Sequence, residues 1–298
     1  MADRIEHVGV VGSGLMGSGI AEVCARAGLD IVVVEADADA ASRGRQRLGN
    51  SLQTGVRRGK MTQDEADAAL AQVRFATDLE EMADRELVIE AITEDASAKV
   101  ECFRTLDSVV VSDQALFASN TSSIPIMKLA TVTRRPEQVL GLHFFNPVPV
   151  LRLVELVTSL MTSDEVVDQA TGFVTGQLSK TVIRSQDRAG FVVNALLIPY
   201  LLSSVRMLES GFATRDDIDA GMVEGCAHPM GPLALCDLIG LDTMRAVADS
   251  LYEEFKEPLY APPPLLLRMV EAGLIGRKSG RGFYEYGRSA AKSQQVPA

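Results

Sequence analysis

His143 and Glu155 stand on two short apolar stretches, Val139 to Phe145 and Val150 to Val157. Asn146, Pro147 and Pro149 separate them, and proline fixes φ and offers no ladder donor. The stretches predict an antiparallel pair of strands. A turn centred on Pro149 sets His143 opposite Glu155, because paired residues lie equally far from the centre of such a hairpin. Leu151, Leu153, Glu155 and Val157 share one face by the strand period of two. Glu155 is therefore a lone charge on an apolar face, which is costly unless the charge is paired. A histidine opposite answers that cost, and the carboxylate fixes its tautomer. Such a pair is the acid–base unit of an enzyme or a buried structural pair, and these residues alone leave both readings open.

A second chemistry begins near the N-terminus. The apolar run Ile5 to Val11 leads straight into Gly12-Ser13-Gly14-Leu15-Met16-Gly17, a helical run from Ser18 to Ala27, a strand from Ile31 to Val34, and Glu35. In this strand–turn–helix setting the first glycine permits a tight turn, the second admits a pyrophosphate against the backbone, and the third lets helix pack on strand. Glu35 follows Gly12 by 23 residues, near the spacing of about 20 for an acid that binds ribose hydroxyls. Its charge repels a 2′-phosphate, so the expected cofactor is NAD rather than NADP. The alternative is a glycine-rich turn that binds no nucleotide. Beside such a site His143 is the best general base by elimination. His7 lies in the first strand as a packed or satisfied residue, and His228 precedes a proline, where it is expected to bond backbone.

The elements that position these groups alternate along the chain. Asp37 to Val73 reads as two helices broken around Gly55 to Met61, the second opened by the capping box Thr62-Gln63-Asp64-Glu65. From Ala40 to Gln63 there are six cations, among them Arg58 and Lys60, and no acid. In a chain of net charge −11 this arm suits an anionic ligand, or is a solvated face. Glu86 to Ile92 and Ala115 to Ser119 read as strands and Asp95 to Val109 as a helix between them. Asn120-Thr121-Ser122-Ser123 is a hydroxyl-rich turn at a strand's carboxyl end, placed for a ligand or for capping the turn toward Ile126. Asp164 to Leu178 reads as a helix and Lys180 to Arg184 as the last strand. After Ser185 to Gly190 the pattern is helical: Phe191 to Glu209, Thr214 to Gly225, Leu241 to Phe255 and Pro264 to Ala272. Ser289 to Ala298 reads as a frayed tail.

Composition excludes several classes. The acidic balance disfavours nucleic acid and anionic membrane as partners. Four cysteines without a C-x-x-C pair disfavour zinc and a disulfide framework, and fit reduced thiols in the cytoplasm. The most apolar run, Phe191 to Val205, is too short to span a bilayer, and no signal peptide is apparent.

Six motifs fall in one family's order: Gly12 to Gly17, Ser119 to Ser123, Gly141-Leu-His143-Phe-Phe-Asn146-Pro147, Gly190-Phe-Val-Val-Asn194, His228 to Pro232 and Gly280 to Tyr284. Over nearly its whole length the chain resembles the 3-hydroxyacyl-CoA dehydrogenases, in particular the single-function bacterial 3-hydroxybutyryl-CoA enzymes. The resemblance implies an α/β Rossmann-like domain over 1–186 with a helical CoA-binding arm near 37–73. An all-α domain over 187–298 would bind substrate and form a homodimer. It implies reversible NAD-dependent oxidation of an (S)-3-hydroxyacyl-CoA to the 3-oxo thioester. His143 would be the base and Glu155 its partner, with Ser122 and Asn194 on the substrate oxygens. Glu94, Lys99, Asn146 and Lys278, with Ser122, would contact the cofactor, and Ser51, Arg58 and Lys60 the CoA. Two positions depart from the family: Glu35 stands where Asp is usual, and Ala189 where proline is common. The rival readings are a sugar-acid dehydrogenase of gulonate type and a non-catalytic NAD-binding protein.

Overall fold

The computed structural model describes residues 4–287, so the tail from Ser289 lies outside the described residues. The chain forms two units that divide between Phe191 and Val192. In the first, strands β1 (His7–Val11), β2 (Asp30–Val34), β3 (Val73–Ala76), β4 (Leu87–Glu90), β5 (Leu116–Ser119), β6 (Val139–Phe144), β7 (Leu153–Thr158) and β8 (Thr181–Gln186) make one sheet. The order is β3-β2-β1-β4-β5-β6-β7-β8. All neighbours pair in parallel except β6 and β7. Short Val/Ile/Leu runs suit such strands, because helices bury a parallel sheet on both faces. Helices α1 (Leu15–Arg26), α2 (Ala38–Arg57), α3 (Gln63–Ala71) and α6 (Asp164–Gly172) cover one face, with Ile20, Leu48, Leu52 and Val166 in its core. Helices α4 (Ala96–Val109) and α5 (Ile126–Ala130) cover the other, with Phe103, Leu106 and Leu129.

This order reverses direction between β1 and β4. Crossovers leaving those two strands go to opposite sides, which opens a crevice at their carboxyl ends where ligands of open α/β sheets bind. The turn after β1 is Gly12 to Gly17, and β4 ends at Glu90.

The second unit holds α7 (Val193–Glu209), α8 (Arg215–Cys226), α9 (Pro232–Ile239), α10 (Leu241–Phe255) and α11 (Pro264–Glu271). Leu201, Leu202, Leu233, Met244, Leu251 and Leu266 are buried in its core. Two buried carboxylates fasten its parts. Asp219 takes the N–H groups of Leu233 and Ala234, which start α9, and Asp237 takes those of Phe283 and Tyr284. Among the described residues no helix is long and apolar enough to cross a membrane.

Several elements depart from the sequence expectation. The arm's capping box is present, but Val73 opens strand β3 rather than closing a helix, because four residues are too few to show a period. Helix α9 lies between the helices expected over Thr214 to Gly225 and Leu241 to Phe255, and its eight residues are nearly all apolar. The helix from Asp164 turns π-helical over Phe173–Gln177. Strand β7 starts at Leu153, not Val150, because Val150 and Leu151 both donate to the carbonyl of Pro147 and close a turn. The N–H groups of Ile126 and Met127 go to the carboxylate of Asp187, so neither Ser122 nor Ser123 caps α5.

Candidate active site

The glycine turn is shaped for close approach. Gly12 has φ +90, and a Cβ on Gly17 would lie 1.9 Å from the carbonyl oxygen of Gly12. A Cβ on Gly14 would meet nothing within 4 Å, so space is open there. Helix α1 starts with no side-chain cap and no acid in its first turn. Its amides and the positive end of its dipole are left to an anion. Leu15 is exposed and Met16 half-buried at the same turn. Glu35 folds back onto this turn, where Oε1 takes the N–H of Ser13 and its hydroxyl, the latter at 2.8 Å. The donor set and the open cradle fit a dinucleotide's pyrophosphate and ribose.

The register of the hairpin is the one that a turn centred on Pro149 gives, with His143 opposite Glu155. His143 Nδ1 lies 2.6 Å from Glu155 Oε2. Glu155 is 0% exposed and His143 7%. A carboxylate only accepts, so Nδ1 carries the proton of this contact, and in the neutral imidazole Nε2 is then the acceptor. The rings of Phe145 and Phe191 flank the imidazole at 4.6 and 5.5 Å. Asn120 Oδ1 accepts the N–H of Phe144 at 2.9 Å and ties the end of β6 to the end of β5. Asn146 is exposed in the turn that follows. The other two histidines do something else. His7 Nδ1 lies 3.8 Å from Asp30, and His228 Nδ1 lies 3.2 Å from the Tyr200 hydroxyl instead of backbone.

Glu94 organises the hydroxyl loop. Its Oε1 accepts from Thr121 Oγ1 at 2.5 Å, from the N–H groups of Ser122 and Ser123 at 3.0 and 3.1 Å, and from Ser123 Oγ at 2.9 Å. Its Oε2 lies 3.3 Å from Lys99 Nζ. Burial opposes its ionisation, but Lys99 and these donors outweigh it and hold the carboxyl below the usual range. Lys99 is 1% exposed, and its ammonium sits between Glu94 and Glu90, the nearer at 2.6 Å. Sequence reasoning missed Glu90. Its signal was the same as that of Glu155, a lone charge in an apolar strand.

Along the arm, Arg58 and Lys60 are exposed and Ser51 is half-buried. Two other arm cations serve the fold: Arg47 donates to the Ser13 carbonyl, and Arg45 stacks 5.1 Å from the Phe75 ring centre. Asn194 and Lys278 belong to the second unit. Asn194 is in the first turn of α7, and Lys278 Nζ bonds Asp242 at 2.6 Å. Among the described residues no group of His, Cys, Asp and Glu is arranged to hold a metal ion.

Comparison with known proteins agrees in both halves. Residues 7–188 match the 3-hydroxyacyl-CoA dehydrogenase NAD-binding domain, and residues 190–286 match the C-terminal domain of the same family. A 3-hydroxybutyryl-CoA dehydrogenase of Mycobacterium tuberculosis is 58% identical over 286 residues, 96% of this chain and 100% of that protein. The mitochondrial hydroxyacyl-coenzyme A dehydrogenase of Sus scrofa is 38% identical, over 95% of this chain and 91% of its own. The crystal structure of M. tuberculosis FadB2 superposes with a TM-score of 0.95 at 57% identity, over 96% of this chain and 100% of that one. That of (S)-3-hydroxybutyryl-CoA dehydrogenase PaaH1 from Ralstonia eutropha gives 0.91 at 44%, with the same coverage. The chain belongs to the 3-hydroxyacyl-CoA dehydrogenase family, as a nicotinamide-dependent oxidoreductase.

Proposed function

We propose that this enzyme catalyses the reversible, NAD-dependent oxidation of short-chain (S)-3-hydroxyacyl-CoA, 3-hydroxybutyryl-CoA above all, to the 3-oxoacyl-CoA. The observation that carries the reading is the buried 2.6 Å contact between His143 and Glu155. It lies at the carboxyl end of a strand two places from the β4 edge of the crevice. Gly12 to Gly17 would hold the pyrophosphate of NAD and Glu35 its ribose, with Glu94, Lys99, Asn146 and Lys278 toward the nicotinamide. When bound, the cofactor supplies the hydride acceptor. His143 takes the 3-hydroxyl proton at Nε2, and Glu155 stabilises the imidazolium that forms. Ser122 and Asn194 orient the hydroxyl and the thioester carbonyl, so the protein contributes mainly positioning. The exposed cations Arg58 and Lys60, with Ser51, would meet CoA. A sugar-acid substrate has no use for them, and a non-catalytic NAD-binding protein has no use for the paired histidine. The second unit would join a second copy, since Leu196 and Phe212, on and just past α7, are 72% and 79% exposed. Turnover of acetoacetyl-CoA followed by loss of NADH absorbance tests the reading. Robust turnover with NADH and far less with NADPH is expected. No turnover would overturn the reaction, and equal turnover with NADPH would overturn the role given to Glu35.

A further inference from the structure

Glu90 ends β4 as the one charge in a fully buried strand, Leu87–Glu90, and is itself 0% exposed. It stands at the point where the sheet order reverses. Both its oxygens are engaged. Oε1 takes Lys99 Nζ at 2.6 Å and the Ile92 N–H at 2.8 Å, and Oε2 takes the Ser119 hydroxyl at 2.6 Å. Lys99 reaches on to Glu94 at 3.3 Å, and Glu94 gathers the donors of Thr121, Ser122 and Ser123. A buried lysine needs one carboxylate for neutrality, and this one has two. The division of labour follows from the distances. The nearer carboxylate holds the ammonium, which leaves Glu94 Oε1 to the loop. The other titratable group beside the cluster is Cys102, whose thiol burial pushes up to about 12, so it carries no charge there.

We propose that Glu90 is a positioning residue. It holds Lys99, so that Glu94 stays on the amides of the hydroxyl loop and Ser122 stays in place for the substrate oxygen. The inference rests on the role given to Ser122 in the proposed function. Without the charge of Glu90, the buried ammonium turns to Glu94, because an ammonium in a dry site is costly without a close counter-charge. Glu94 is then drawn off the loop, and the Ser122 amide loses its acceptor, while the Ser123 amide keeps its bond to Thr121 Oγ1. The competing account is a merely structural one, in which Glu90 neutralises a buried lysine and the loop is indifferent to it.

Glu90→Gln separates the two. Glutamine is near-isosteric, its carbonyl still accepts from Lys99 and Ile92, and its amide can face the Ser119 oxygen, so the fold should hold. Two readings are taken on the full-length enzyme: hydrogen exchange of the Ser119 to Ser123 segment, and kcat and KM with acetoacetyl-CoA and NADH. Exchange at the Ser122 amide, whose acceptor is Glu94, should speed up about tenfold or more as local opening becomes easier. The kcat should fall by about tenfold or more, within the roughly hundredfold that a 1 Å misplacement costs, with KM for the thioester within about twofold. Wild-type exchange, wild-type kcat, or a change in only one of them overturns the proposal, whatever happens to Tm. Should the variant fail to fold, Glu90→Asp keeps the charge but draws it back from Lys99 by one methylene, and should move both readings the same way, by less; Ser119 is left intact because its hydroxyl also accepts the Thr121 N–H. The exchange arm needs no substrate. A wild-type enzyme that does not turn over acetoacetyl-CoA therefore refutes the proposed reaction, and exchange alone then decides whether Glu90 governs the loop.

Discussion

Replacing Glu155 by glutamine tests the centre of the mechanism. The carboxylate oxygen sits 2.6 Å from His143 Nδ1, and both side chains are buried. When His143 takes the substrate proton it becomes a cation about 4 Å from the centre of the carboxylate charge. At an effective dielectric of about 20 that attraction is worth about 4 kcal/mol. Glutamine can accept the Nδ1 proton through its carbonyl, and such a neutral hydrogen bond returns about 1 kcal/mol. The remaining loss of about 3 kcal/mol corresponds to about a hundredfold in kcat. Replacing His143 by glutamine removes the base itself, at a cost of about 10²–10⁴-fold. The two residues act as a unit, so the double variant should be little worse than His143→Gln alone. The assay is steady-state oxidation of 3-hydroxybutyryl-CoA with NAD, beside a thermal melt of each variant. A Glu155→Gln enzyme that keeps wild-type kcat while losing stability would refute the argument, as would losses that simply add.

Three other expectations follow from particular contacts. Charge reversal at the exposed arm, Arg58→Glu with Lys60→Glu, should raise KM for acetoacetyl-CoA more at low salt than at high salt, because exposed charges are screened. An unchanged KM would return the arm to a solvated face. Asp107 is held below the usual carboxylate range. Burial opposes its ionisation, but hydrogen bonds from Arg134 and Arg135 outweigh it. A depressed folded pKa gives stability that is present above the unfolded value of about 4 and lost as pH falls through the folded one. Asp107→Asn should therefore cost about 3 kcal/mol at neutral pH, as breaking a buried pair does, and should flatten the decline of Tm on the acid side. Light scattering at micromolar concentration should give the mass of a dimer, and Leu196→Glu should yield monomers; a wild-type monomer would sink the proposed interface.

What the sequence determined is what neighbours along the chain decide. Gly12 to Gly17 could be placed between a strand and a helix because each glycine answers a local steric demand. Thr62 and Glu65 could be recognised as a cap because both partners lie within one turn. The pairing of His143 with Glu155 was legible because two prolines fix where the hairpin turns and strand period does the rest. The tertiary structure decided where distant donors and acceptors meet. The carboxylate of Asp187 takes amides 61 and 60 residues away. Lys180 holds the carbonyls of Val148 and Leu151, on the turn between the two strands that carry the pair. Lys99, one cation in a helix by sequence, is an internal counter-ion because strand β4 brings Glu90 up beneath it. Buried polar groups must find partners, but nothing local says which. That choice belongs to the strand order, which sets β4 and β5 side by side and brings Ser119 and the loop beyond it up to two glutamates about thirty residues back along the chain.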